Sequence, residues 1–106
     1  MDKGKEIINK LKIFRVGVNR EVPIDKLLFF GSYVKGRQHR WSDIDLVVVS
    51  PMFTGIKSYK RARRLYDYWD LDYPVDFLCY TPKEFNKLKK QITIVKEAVE
   101  HGIEIK

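Results

Sequence analysis

Two short apolar runs constrain this chain more than anything else in it. KLLFFGS covers residues 26–32 and DIDLVVVS residues 43–50. The first stops at a glycine and the second is valine-rich, so both read as buried strands. Val47 to Val49 suit a central strand covered on both faces. A polar loop of about ten residues, SYVKGRQHRWS, joins them, with one helical turn expected after Ser32. That length permits antiparallel pairing. The odd feature is at the second junction. Asp43 and Asp45 stand where the chain turns hydrophobic, and charge at the mouth of a buried strand is costly unless something pairs with it.

The remaining elements follow from periodicity and punctuation. Ile7, Ile8, Leu11 and Phe14 are spaced for an amphipathic helix over residues 3–14. VGVNREVP reads as a break closed by Pro23, and PMFTG as a turn. KSYKRARRLYDYWD (57–70) reads as a helix with Tyr59, Ala62, Leu65, Tyr66 and Trp69 on one stripe. YPVDFLCY (73–80) is a third strand. Thr81, Pro82 and Glu84 then form a capping box with proline in the first turn. Phe85, Leu88, Ile92, Val95 and Val99 space out one C-terminal helical face. Gly102 ends it, and IEIK adds an edge strand. The second and third strands are joined by a helical crossover, which predicts parallel pairing.

The fold class is therefore α/β (α+β), a small mixed sheet of three to four strands packed on helices. With 106 residues the chain reads as one domain over 1–106. An apolar content of 44% argues against disorder. No stretch approaches a membrane span of ~20 apolar residues, and MDKGKEIINKLK lacks the apolar centre of a signal peptide. A soluble, cytoplasmic protein is expected. A single cysteine, Cys79, excludes an internal disulfide and a multi-thiolate zinc site. It lies in an apolar strand and reads as an inert core residue. The net charge of +7 draws the protein toward polyanions: nucleotides, nucleic acid or an acidic protein.

Antiparallel pairing of the first two strands brings Gly31 and Ser32 beside the starts of the other two. Asp43, Asp45 and Asp76 converge on the same sheet edge. Asp43 and Asp45 are two apart, so both leave one face. Like charges so close call for a cation between them. Three carboxylates suit Mg²⁺, a hard ion that prefers oxygen ligands, and can hold two such ions. Gly31 allows close backbone approach, and Ser32 offers a hydroxyl and an N–H to phosphate.

GSYVKGRQHRWSDID has the form Gly-Ser, ten residues, Asp-x-Asp. This resembles the signature of the minimal nucleotidyltransferases of the DNA polymerase beta-like superfamily. The likeness covers roughly residues 24–80, including the later strand with its single aspartate. The resemblance implies the palm-like nucleotidyltransferase fold and transfer of a nucleoside monophosphate from a triphosphate, with release of pyrophosphate. It implies Asp43, Asp45 and Asp76 as catalytic metal ligands, with Asp76 aiding the attacking hydroxyl. Gly31 and Ser32 would hold the triphosphate. Lys35 and Arg37, in a basic loop with His39 and Arg40, could neutralise it or touch the acceptor. ATP is implied by the family, since no residue here names adenine. Stand-alone members are commonly paired with a HEPN-family RNase toxin, which they silence by attaching AMP to a tyrosine. That implies an antitoxin with a HEPN partner, in a homo- or hetero-oligomer.

Plainer readings stand beside this one. Asp72 is also available as third carboxylate, though Asp76 lies inside the apolar run. Asp67 and Asp70 read as solvated. His39 and His101 show no zinc pattern, and His101 suits a helix C-terminus. Trp41 packs under the loop or stacks on a base. Lys57, Lys60, Arg61, Arg63 and Arg64 form a basic face, either solvated or a docking surface. As a whole, the chain could be a non-catalytic module that covers its partner, or transfer nucleotides to a small molecule. Direct nucleic-acid binding is not expected, because no RNA-binding aromatic signature is visible.

Overall fold

The computed structural model describes residues 3–39 and 42–106. Helix α1 (Lys3–Asn19) is followed by β1 (Lys26–Phe30), a one-turn α2 (Ser32–Lys35) and β2 (Ile44–Val49). Short 3-10 turns at Pro51–Phe53 and Ser58–Lys60 lead to a one-turn α3 (Arg63–Tyr66). Then come β3 (Val75–Tyr80), α4 (Pro82–Leu88), α5 (Ile94–His101) and β4 (Ile103–Glu104). The sheet order is β3-β2-β1-β4, with β1 antiparallel to β2 and β4, and β2 parallel to β3. The expected mixed sheet and both expected pairings are present.

Strand alternation splits the apolar residues between two cores. Leu27, Phe29, Ile44, Leu46, Val48 and Phe77 pack against Ile7, Leu11, Phe14 and Val18 of α1. Leu28, Phe30, Val47 and Val49 face the other way, against Phe85 of α4 and Val95 and Ala98 of α5. Val47 to Val49 are thus buried from both sides, as their lack of alternation predicts. The carboxylate end of β2 opens onto the α4–α5 face.

Three expectations need correction. Helix α1 does not stop at residue 14. It runs through VGVN to Asn19 because Val18 is fully buried, and packing overrides weak propensity. The Asn19 Oδ1 then accepts the Ile24 N–H at 2.8 Å, and Arg15 donates to the carbonyls of Ile24 and Ile105. Residues 57–70 are not one helix. Tyr59 and Tyr66 of the expected stripe are 75% and 52% exposed. Five cations within eight residues repel at helical i,i+3 and i,i+4 spacings. The C-terminal face is two helices. Thr93 caps α5 by accepting the Lys96 N–H and donates its hydroxyl to the Leu88 carbonyl. Ile92, in the link, is 99% exposed. The capping box at Thr81 forms as expected.

Arg61 also departs from the basic-face reading. Its side chain is only 8% exposed and forks onto the Glu84 carboxylate. It also donates to the carbonyls of Cys79 at 3.2 Å and Ile56 at 2.8 Å. It therefore ties the 57–61 segment to the outer edge of β3 and to α4. Lysine cannot reproduce a planar fork. Arg61→Lys should lower stability by about 2 kcal/mol and Arg61→Ala by about 3 kcal/mol, read from urea midpoints. Cys79 is buried in β3, and burial pushes its thiol up to about 12. The native protein should resist a thiol reagent at pH 8 and react at once in denaturant.

Candidate active site

β1 ends at Phe30, which lies opposite Asp45 in the antiparallel register. The chain then turns through Gly31 with φ 89° and ψ −153°, backbone that glycine alone adopts readily. A Cβ here would collide with the Asp45 carboxylate. Glycine thus serves two needs at once: the turn, and contact with the carboxylate. The Gly31 carbonyl accepts the N–H groups of Val34 and Lys35, both at 3.1 Å, which starts α2 with Ser32 as its first residue.

β2 carries Asp45 on the face shared with Val47 and Val49. In the parallel register Asp45 lies opposite Asp76 of β3. Asp76 is exposed, and so is Asp43, one residue before β2. Ser42 is buried, its Oγ accepting the His39 N–H at 2.9 Å while its own N–H reaches the His39 carbonyl at 3.0 Å. That closed turn fixes where Asp43 leaves the loop. Burial lifts the Asp45 carboxyl to about 6, helped by the negative charges of Asp76 and then Asp43.

The three predicted carboxylates therefore gather, with Gly31 against the central one. Asp72 falls in the segment before β3, outside the register that pairs Asp45 with Asp76. Lys35 is at the end of α2 and reaches Glu97 of α5 at 3.4 Å, a partner that no local sequence signal announces. Arg37 and His39 are exposed in the loop after α2, and Trp41 and Arg40 lie outside the described residues. His101 ends α5, as expected. Asp67 and Asp70 are exposed, also as expected.

Among the described residues no three His, Cys, Asp or Glu side chains form a ready-made metal cage. Asp45 and Asp76, in register, are the carboxylates this edge offers a divalent cation, whose other ligands would be water and substrate phosphate. Asp45, raised first by burial and then by the charges of Asp76 and Asp43, is a carboxylate that a divalent cation would relieve.

A model of the Nucleotidyltransferase domain matches residues 11–101. The chain belongs to this nucleotidyltransferase family. The match covers every gathered residue, from Gly31 to Asp76. Among curated proteins, MntA of Haemophilus influenzae, named as a candidate protein adenylyltransferase, is 27% identical over 97 residues. That is 90% of this chain and 85% of MntA. Among solved structures, a nucleotidyltransferase candidate from Sulfolobus solfataricus superposes with TM-score 0.63 at 20% identity, covering 81% of this chain and 77% of its own. It shows the shared fold. A toxin–antitoxin structure with AMP-PNP aligns with TM-score 0.56 at 27% identity, covering 92% of this chain and 73% of its own. Among the described residues no helix is long and apolar enough to cross a membrane.

Proposed function

We propose that this protein transfers AMP from ATP to a tyrosine of a partner protein. The partner is a HEPN-family toxin of the cytoplasm, which the transfer silences. The observation that carries the reading is the register of Asp45 against Asp76, with Gly31 against the Asp45 carboxylate. The names of the relatives support the acceptor class and the base: one is a protein adenylyltransferase by name, the other a toxin–antitoxin assembly with an ATP analogue.

Asp43, Asp45 and Asp76 would hold Mg²⁺, two ions in the full complex, which neutralises the triphosphate and the departing pyrophosphate. The rest falls to the chain itself. Gly31 lets the backbone approach the phosphates without a side chain in the way. Ser32, half-buried at the start of α2, offers its hydroxyl to a phosphate oxygen. Lys35 and Arg37 add positive charge on the loop side. Asp76 is open to solvent at the strand mouth and receives the proton of the attacking tyrosine hydroxyl. The oxygen so freed attacks the α-phosphorus, and the bond to pyrophosphate breaks.

Intact-protein mass spectrometry tests this. The protein is incubated with Mg²⁺, each nucleoside triphosphate in turn, and a HEPN-family protein as acceptor. An AMP-sized adduct on the partner is expected, absent with Asp43→Asn. A stable complex without any adduct would replace the enzyme reading by neutralisation through covering.

A further inference from the structure

One of the cations assigned to the triphosphate already holds an anion. Lys35 follows Ser32 by three residues, so the two side chains leave α2 on one face. The Lys35 N–H donates to the Gly31 carbonyl at 3.1 Å, and Gly31 stands against the Asp45 carboxylate. A phosphate taken by the Ser32 hydroxyl is therefore within the span of the Lys35 side chain. Yet the Lys35 ammonium faces Glu97 of α5 at 3.4 Å, a residue 62 positions away. A fixed element brings Glu97 there. Val95 and Ala98 of α5 are fully buried, packed with Phe30 of β1 and Val47 of β2 in one core. The Glu97 N–H donates to the Thr93 carbonyl at 3.2 Å, and the Gly102 N–H closes the helix on the Ala98 carbonyl at 2.9 Å.

The pair is loose. Its 3.4 Å exceeds the about 2.7–2.9 Å of a strong charge-assisted bond, and its side chains are 40% and 46% exposed. Such a pair adds little to stability. It also sets a further carboxylate beside a site that must take up a polyanion. Both features are accounted for if the pair breaks and re-forms during turnover. We propose that Glu97 is a resident anion on Lys35, displaced by the triphosphate and returning to the ammonium as pyrophosphate leaves. Glu97 thus competes with phosphate oxygens for one cation. It lowers the affinity for triphosphate and for pyrophosphate alike, and it favours release of the product. This rests on Lys35 acting at the triphosphate, as argued above. It gives a role to a contact that joins α2 to α5 across the chain without adding to the core.

The test is direct binding, which needs no acceptor. Calorimetry with Mg²⁺ and AMP-PNP, and competition of that complex by pyrophosphate, compare wild type, Glu97→Gln, Lys35→Met and the double variant. Glu97→Gln should tighten both ligands about threefold, the scale of an exposed ion pair. Lys35→Met should weaken both at least about fivefold, the scale of a hydrogen bond to a charged group. In the Lys35→Met background, Glu97→Gln should change nothing, because Glu97 acts only through the ammonium. The melting temperatures of all four proteins should agree within about 2 °C. Unchanged binding in Glu97→Gln overturns the proposal. Weaker binding does too, since Glu97 would then be holding the lysine in place for phosphate. Tightening that persists without Lys35 also overturns it, because the effect would be the general field of a negative charge. A fall in Tm of more than about 5 °C in Glu97→Gln would make the pair a structural tie and likewise overturn it. If the wild type binds neither ligand, the transferase reading itself fails and this inference falls with it. Binding in the wild type with no response to Glu97→Gln leaves that reading standing and removes only the role of Glu97.

Discussion

Asp45→Asn should abolish nucleotidyl transfer and, at the same time, stabilise the protein without metal. Both effects have one origin. Burial and the charges of Asp76 and Asp43 raise the Asp45 carboxyl to about 6 in the fold, from 3.8 in the open chain. The native state therefore keeps a proton that the unfolded state has lost between about pH 4 and 6. Unfolding releases that proton, so stability falls as pH rises through this window and stays lowered above it. Asparagine removes the charge and flattens the profile. Asp45 is partly open to water, which reduces the effect to about 1 kcal/mol at pH 7.5. This corresponds to about 5 °C in Tm. Below about pH 4 the two proteins should melt together. Transfer activity should fall at least about 1,000-fold, because the lost carboxylate would hold the cation that balances the charge developing at the phosphates. Adding Mg²⁺ with a nonhydrolysable triphosphate should raise the wild-type Tm and leave the variant's unchanged. A variant that is both inactive and less stable at pH 7.5 would contradict the argument.

The same two features explain what could be read from the sequence. The strands were legible because burial leaves its mark locally: Val47 to Val49 on a two-sided strand, Thr81-Pro-Lys-Glu84 at a helix start. The site was legible because strand alternation and an antiparallel turn are enough to bring Gly31, Asp45 and Asp76 together. The helices were less so. Ile92 has the right spacing for a helical face, yet it is fully exposed because Thr93 caps a new helix just after it. Tyr59 and Tyr66 keep helical spacing in a segment whose path is set elsewhere, by the Arg61 fork onto Glu84, Cys79 and Ile56. Val18 looked like part of a break because its burial depends on residues far along the chain. In each case the deciding contact is long-range, and periodicity reports only what is local. The Lys35–Glu97 pair, 62 positions apart, is invisible for the same reason.

Gly31→Ala should be the most damaging conservative change in the loop. Two costs combine at this position. The backbone sits at φ 89°, which for an L-residue with a side chain costs of order 1–3 kcal/mol. The added methyl also meets the Asp45 carboxylate, which must move. The expected loss is about 3 kcal/mol of stability, with transfer reduced by about 100-fold or more as Asp45 leaves its register with Asp76. A double-mutant cycle separates the two costs. In the Asp45→Ala background the collision is gone and only the backbone cost remains. Gly31→Ala should then be less destabilising than in wild type, by about 1–2 kcal/mol of coupling. Activity is absent in that background, so the cycle is read from urea midpoints alone. Equal costs in both backgrounds would mean that the glycine serves only the turn. A coupling of the expected size shows that Gly31 is also the space in which the central carboxylate stands.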